Sequence, residues 1–356
     1  MSEAISADDR AESIRMIRDS AAAVAPPGGD TKRARALRFK DPGYDPAVLR
    51  QMGEMGWIGL RVPEAQGGAG LGMGEACAIA EEMGRGLAPE PLVPAMFSVR
   101  LLAASNDGAL LGQALSGDAY VATAFQEKAD TLAAPGTSDG ARVFIPMASG
   151  AAQFLLPVRE GGRLALRVQS ASSADVTIER TQEGGNVGTL RPVPGAVLAD
   201  DIGAVIEEAI DEAALLTAAQ ILGLMDAAFA LTLTYLKTRQ QFGKIIGTFQ
   251  ALQHRAADLK VQIALTRASV ESAAAALDAG ATGDARRAAV SRAKARAAES
   301  GMLVTRQCIQ LHGGIGYTDE YDVGLYLRSC MVLSNRFGSA GLHRRRFMAT
   351  APEGEE

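Results

Sequence analysis

The sequence predicts an α+β protein in three zones: an N-terminal helical domain over residues 1–115, a shortened middle β domain over 116–200, and a C-terminal helical bundle over 201–356. Two observations carry this. Apolar residues recur at helical spacing toward both ends of the chain, whereas between about 116 and 200 they alternate. The middle zone also carries strand signals at intervals of roughly 8 to 12 residues, the rhythm of a small antiparallel domain.

In the first zone, Glu75 to Arg85 has a helical pattern, with Cys77, Ile79, Ala80 and Met83 apolar among Glu75, Glu81 and Glu82. Gly84 and Gly86 end it ahead of Pro89 and Pro91. Before it, Val62 to Gly70 holds a proline and three glycines and reads as an ordered loop. In the middle zone, Phe154 to Val158 is an apolar run, and Glu160-Gly161-Gly162-Arg163 supplies a hairpin turn. Leu164, Leu166 and Val168 then alternate with Ala165, Arg167 and Gln169, and Val176 and Ile178 repeat the pattern. In the last zone, Phe249, Leu252, Ala256, Leu259, Ile263, Thr266 and Val270 fall at steps of three and four, the stripe of a helix in a near-parallel bundle. Its many alanines let helices approach closely, and such bundles often complete their cores by oligomerisation.

Composition narrows the chemistry. The 356 residues are 47% hydrophobic and 22% charged, which excludes a disordered chain. A net charge of −5 gives no field that favours nucleic acid. Cys77, Cys308 and Cys330 lie far apart with no CxxC, so neither a metal site nor a disulfide framework is expected. With only three histidines as well, any reaction must lean on a cofactor. No run of about 18 apolar residues suggests a membrane span, and the acidic start is unlike a secretion signal; a cytoplasmic protein is expected.

Two segments could bind a ligand. Arg239-Gln240-Gln241-Phe242-Gly243-Lys244 follows a helical pattern; its guanidinium could take two phosphate oxygens and its ring could face a base. The plain alternative is a solvated arginine and a helix stopped at Gly243. Gln310-Leu311-His312-Gly313-Gly314-Ile315-Gly316-Tyr317 places glycines after a helix, where backbone N–H groups can approach a phosphate. It lacks the strand-before, helix-after setting of a dinucleotide fingerprint and could equally be a turn, with His312 packed or at the surface. Arg344-Arg345-Arg346 reads as a solvated charged face without a function.

Together these segments resemble the acyl-CoA dehydrogenase family over nearly the full length. The likeness rests on Met55-Gly56-Trp57-Ile58-Gly59-Leu60, Val62-Pro63-Glu64, Gly67-Gly68-Ala69-Gly70, Glu82-Met83-Gly84-Arg85-Gly86, Tyr235 to Gly243, and Gln310 to Tyr321, all in order. The resemblance implies a helical domain, a small β domain and a four-helix bundle. It also implies FAD shared between subunits, with Arg239, Gln241, Phe242, Gln250, Gln310, Gly313 and Gly314 holding the adenine and diphosphate half of a flavin whose ring lies in the neighbour.

Departures from the family matter as much. The reaction removes the proton alpha to a thioester carbonyl with a carboxylate while flavin N5 accepts hydride. Counted from Arg328, the usual catalytic Glu position is Phe337, followed by Gly338 and Ser339, and no Asp or Glu occurs from Val323 to Pro352. Relatives that carry the Glu on another helix align it with Ala213. Glu212 is adjacent, but one residue turns a helical side chain by about 100°. The substrate-binding Asp-x-x-Arg there keeps Asp211 and has Ala214 for the Arg. The Thr-Glu…Gly-Ser-Asp segment that lines flavin and thioester is missing, with Thr137-Ser138-Asp139-Gly140 a faint echo, so the chain is expected to lack a ring and substrate pocket of its own.

This pattern resembles the non-catalytic, small subunit of a heteromeric acyl-CoA dehydrogenase. It implies an α2β2 partnership with a catalytic subunit that binds most of the acyl-CoA. A bulky substrate follows by analogy, such as a steroid side-chain or dicarboxylic thioester, with an electron-transfer flavoprotein as acceptor. Two other readings stand beside it: a self-sufficient homomeric enzyme using Glu212, and a scaffold that binds no flavin.

Overall fold

The computed structural model describes residues 7–26, 31–137, 139–193 and 195–351. The acidic chain start, Ser138 and the segment from Pro352 onward lie outside them. Six helices fill the first zone: α1 (Ala7–Ser20), α2 (Thr31–Leu37), α3 (Pro46–Glu54), α4 (Met73–Arg85), α5 (Leu92–Leu102) and α6 (Gly108–Leu115). Asp45 caps α3 by accepting from the Ala47 amide, and Asp107 caps α6 by accepting from Leu110. The expected helix from Glu75 to Arg85 is α4, and the loop before it holds only one 3-10 turn, Glu64–Gln66.

Seven strands follow: β1 (Val121–Thr123), β2 (Arg142–Pro146), β3 (Gln153–Glu160), β4 (Arg163–Ser170), β5 (Asp175–Arg180), β6 (Asn186–Arg191) and β7 (Val197–Ala199). They form two sheets, β1-β3-β4-β7 and β2-β6-β5. The β3–β4 hairpin turns at Gly161 and Gly162, both at positive φ (53° and 86°), the conformation a two-residue turn demands. Not every pairing is antiparallel, because β1 runs parallel to β3. Nor does the simple alternation hold. Leu164, Ala165 and Leu166 are all buried because β4 is covered on both faces, and Gln169 is buried with its side chain accepting from the Val193 amide. Ile178 is instead exposed on β5, an edge strand.

The last zone contains α7 (Gly203–Thr238), a short hairpin of β8 (Gln240–Gln241) and β9 (Lys244–Ile245), then α8 (Gln250–Asp278), α9 (Gly283–His312), α10 (Val323–Leu333) and α11 (Ala340–Thr350). The predicted stripe lies on α8: Leu259, Ile263, Thr266 and Val270 are buried, and Phe249, Leu252 and Ala256 pack against the core. One helix, α7, is long and apolar enough to cross a membrane, but 72% of its apolar window is buried inside the fold.

Close backbone contact fuses the helical zones. A Cβ on Gly84 would lie 1.9 Å from the Gln220 carbonyl oxygen, and one on Gly223 1.9 Å from that of Glu81. Only glycine lets α4 and α7 cross this tightly. Beside the crossing, the buried Glu81 carboxylate takes hydrogen bonds from Arg18, Arg85 and Arg267. Burial alone would raise its pKa, but Arg267 and Arg18 outweigh that and lower it. The arginine run is also tied down: Arg346 donates to the fully buried Asp211 at 2.5 Å, Arg344 pairs with Glu299, and Arg345 reaches Asp130. The expected solvated face is therefore corrected for Arg346, which joins Arg286 in neutralising Asp211.

Candidate functional site

Two places concentrate the residues singled out in the sequence. The first is the end of the bundle where α7 and α9 finish. Tyr235 of α7 packs on His312 of α9 with ring centroids 4.5 Å apart, which brings the Arg239–Lys244 segment and the Gly313–Gly314 turn to the same end. His312 is buried, with Nδ1 bonded to the Cys308 carbonyl at 2.7 Å and its pKa lowered mainly by burial. It is a packing residue here. Beside it the ligand candidates face outward: Arg239, Gln241, Phe242, Gln250, Gln310, Gly313 and Gly314 are all exposed. Phe242 is 82% exposed at the tip of the β8–β9 hairpin. Side chains of Arg239, Gln241, Gln250 and Gln310 make no hydrogen bond with any described residue. A Cβ on Gly313 or Gly314 would meet nothing within 4 Å, so their backbone lies open.

A second place surrounds Phe337, in the turn between α10 and α11. Phe337 is buried yet holds φ +53°, a left-handed conformation that costs a bulky residue about 1–2 kcal/mol. The turn is clamped from beneath. The fully buried Lys294 of α9 donates to the carbonyls of Ser334 and Gly338 at 3.0 Å and Leu333 at 3.3 Å, and His343 Nε2 bonds the Phe337 carbonyl at 2.8 Å. Burial lowers the Lys294 pKa to about 7. Burial, aided by the neighbouring Lys294 charge, lowers that of His343 to about 4. Held this way, the Phe337 ring stacks near-parallel to Phe125 (6.2 Å, 8°) and edge-on to Phe97 (5.4 Å, 79°). Above it opens a cavity of about 520 Å³ between the β strands and α10, walled by Phe97, Phe125, Phe144, Met331 and Phe337.

Comparison with known proteins gives these two places a context. The acyl-CoA dehydrogenase N-terminal domain matches residues 11–105 and the acyl-CoA dehydrogenase C-terminal domain matches residues 203–351. The chain belongs to the acyl-CoA dehydrogenase family. It is 33% identical over 322 residues to acyl-CoA dehydrogenase IpdE2 of Mycolicibacterium smegmatis, covering 89% of this chain and 92% of that one. Among solved structures, it is similar to the Tcur3481–Tcur3483 steroid ACAD, with 29% identity, a TM-score of 0.86 and 97% and 99% of the two chains covered. The ChsE4–ChsE5 complex of Mycobacterium tuberculosis shares the fold, with a TM-score of 0.83 at 24% identity over 96% and 98% of the chains.

FAD is the cofactor of acyl-CoA dehydrogenases. The bundle end fits its diphosphate and adenine half: a guanidinium without a competing partner, an open glycine turn and an exposed aromatic ring stand together. None of these seven residues lines the Phe337 cavity. A cavity nevertheless lies beside Phe337. The amide of Thr137, which opens the segment that faintly echoes the family's flavin-lining loop, and that of Gly136 just before it are spent on Glu127 at 3.2 and 2.9 Å.

Glu212 is buried on α7, and its two oxygens accept from Arg61 (3.1 Å) and Arg100 (2.9 Å); it does not line the cavity. Asp130 is the one carboxylate in the cavity wall among the described residues, and sequence reasoning missed it. Its segment carries no recognisable motif, and only the fold brings it to the α11 N-terminus. There it accepts from the Ser339 amide at 2.9 Å; burial pushes its pKa up, but that bond and Arg345 hold it below the usual value.

Proposed function

We propose that this chain is the non-catalytic subunit of a heteromeric FAD-dependent acyl-CoA dehydrogenase. The single observation that carries the reading is Phe337. Where a proton-abstracting carboxylate would act, an aromatic ring is locked in place by Phe97, Phe125, Lys294 and His343. The one carboxylate in that cavity wall among the described residues, Asp130, is engaged by the Ser339 amide and Arg345. In this reading Arg239, Gln241, Phe242, Gln250, Gln310, Gly313 and Gly314 grip the diphosphate and adenine half of a FAD whose ring lies in the catalytic partner. When bound, that flavin accepts hydride from the acyl beta carbon; this chain contributes charge and backbone N–H groups to its anchorage. The assembly is α2β2 with half the usual number of active sites, acts in the cytoplasm and passes electrons to an electron-transfer flavoprotein. Removing one of two sites leaves volume for a bulky acyl group, and the likeness to a steroid ACAD supports a steroid side-chain thioester.

The test is co-expression with a full-length relative that carries the catalytic Glu. A visible flavin band only in the complex, at one FAD per pair of chains, with desaturation of a steroid side-chain CoA thioester, is the expected result. A full flavin complement and desaturase activity in the lone chain would instead establish a self-sufficient homomer. Glu212 would be an unsuitable base even then, since both its oxygens are engaged by arginines.

A further inference from the structure

We propose that the Phe337 cavity is a binding site for an apolar monocarboxylate, whose carboxylate is taken by Arg336. The proposal does not rest on the subunit reading, because it concerns a pocket contained in this chain. Its volume of about 520 Å³ lies in the range of small-molecule sites. The walls are mostly apolar, with Pro94, Phe97, Phe125, Met331, Val332 and Phe337 able to cover a hydrocarbon body.

Arg336 is the decisive residue. It lines this cavity and also a small one of about 80 Å³ behind it. Its guanidinium makes no hydrogen bond or ion pair with any described residue, while burial lowers its pKa. Arg336 is part-buried, and a guanidinium with no hydrogen-bonded partner gains from a bidentate carboxylate. The other two charged residues in the wall of this cavity, Arg180 and Asp130, already have partners. Arg180 is held by Asp41 at 2.8 Å and the Lys40 carbonyl at 2.9 Å, and Asp130 by the Ser339 amide and Arg345. Glu183, behind Arg336 in the small cavity, attracts it but forms no ion pair within 4 Å. The site therefore presents a guanidinium with no hydrogen-bonded partner among the described residues at the edge of an aromatic pocket, with Glu183 beyond ion-pair distance behind it. That combination selects an acid with an apolar body over a neutral lipid and over a nucleotide.

Calorimetric titration of the full chain with octanoate and with octan-1-ol separates the contributions. Octanoate is expected to bind about tenfold more tightly than the alcohol, the worth of one charge-assisted contact. Arg336→Gln should remove that difference, whereas Arg180→Gln should keep it. Val332→Trp, which fills the pocket, should weaken both ligands, and circular dichroism checks that each variant is folded. Equal affinity for acid and alcohol in the parent protein would overturn the proposal, and so would octanoate binding unaffected by Arg336→Gln or by Val332→Trp. Displacement of octanoate by FAD alone would overturn it too, since the pocket would then be a flavin site. No flavin is needed for the titration, so its failure is distinct from failure of the subunit reading, which is judged by flavin content of the complex.

Discussion

The bundle end around Arg239 and the turn around Phe337 belong to one helical domain and are built on opposite principles. At the bundle end, polar groups stand in water: Arg239 and Gln310 have no side-chain partner among the described residues, and Phe242 projects a ring into solvent. At the turn, an aromatic residue in a strained conformation is held by a buried lysine and a buried histidine. An idle exposed group contributes little to folding, so its presence points to a ligand or partner. A strained buried group must be supported by its surroundings, and here the support fixes the Phe337 ring against Phe97 and Phe125.

Phe337→Ala should break the comparison most severely. Removing a buried ring from a three-ring cluster is expected to destabilise the protein by about 3–5 kcal/mol, read as a lower denaturant midpoint. Lys294→Met should follow at about 2–4 kcal/mol, because the carbonyls of Leu333, Ser334 and Gly338 lose their shared donor. Chemical denaturation at pH 7 measures both; a loss below about 0.5 kcal/mol for Lys294→Met would show that the clamp is incidental.

The histidine of the clamp predicts a pH dependence. With a folded pKa of about 4 against an ordinary 6.5, His343 stays neutral in the native state while the unfolded chain takes up a proton. Stability should therefore fall as pH drops from 6.5 toward 4, by up to about 3 kcal/mol from this group. His343→Gln should flatten that part of the profile. An unchanged acid limb would remove His343 as its source.

At the bundle end, Arg239→Ala should leave unfolding within about 0.5 kcal/mol of the parent. It should lower flavin retention by the partnered complex roughly tenfold. Unaltered flavin content would sever Arg239 from the cofactor. The two ends are thus separable by one pair of measurements, stability and flavin occupancy.

What the sequence made legible follows the range of the interaction. The α4 and α8 stripes depend on neighbours three and four residues away, and the β3–β4 turn on two consecutive glycines, so local pattern sufficed. The family's motifs then pointed to the three-zone fold and to Phe337. Long-range partners left no local trace. Lys294 sits in the run Arg292-Ala293-Lys294-Ala295-Arg296, which reads as an ordinary charged helix face, yet it is the fully buried one of its three charged residues. Arg346 looked solvated because Asp211 is 135 residues away. Asp130 and Arg336 drew no notice because a cavity exists only where separate elements converge. Burial of Gln169 and exposure of Ile178 likewise depend on which face of a sheet is covered.

The crossing at Gly84 and Gly223 sets a limit on how this molecule can change. Each position faces the other helix's backbone, so even alanine at either would force the helices apart, and a change at one cannot be compensated by a smaller residue at the other. The seam offers no gradual path: mutational drift can retouch either helix's outer surface but not the spacing between them. Whatever partner docks on this protein meets α4 and α7 held at that fixed spacing.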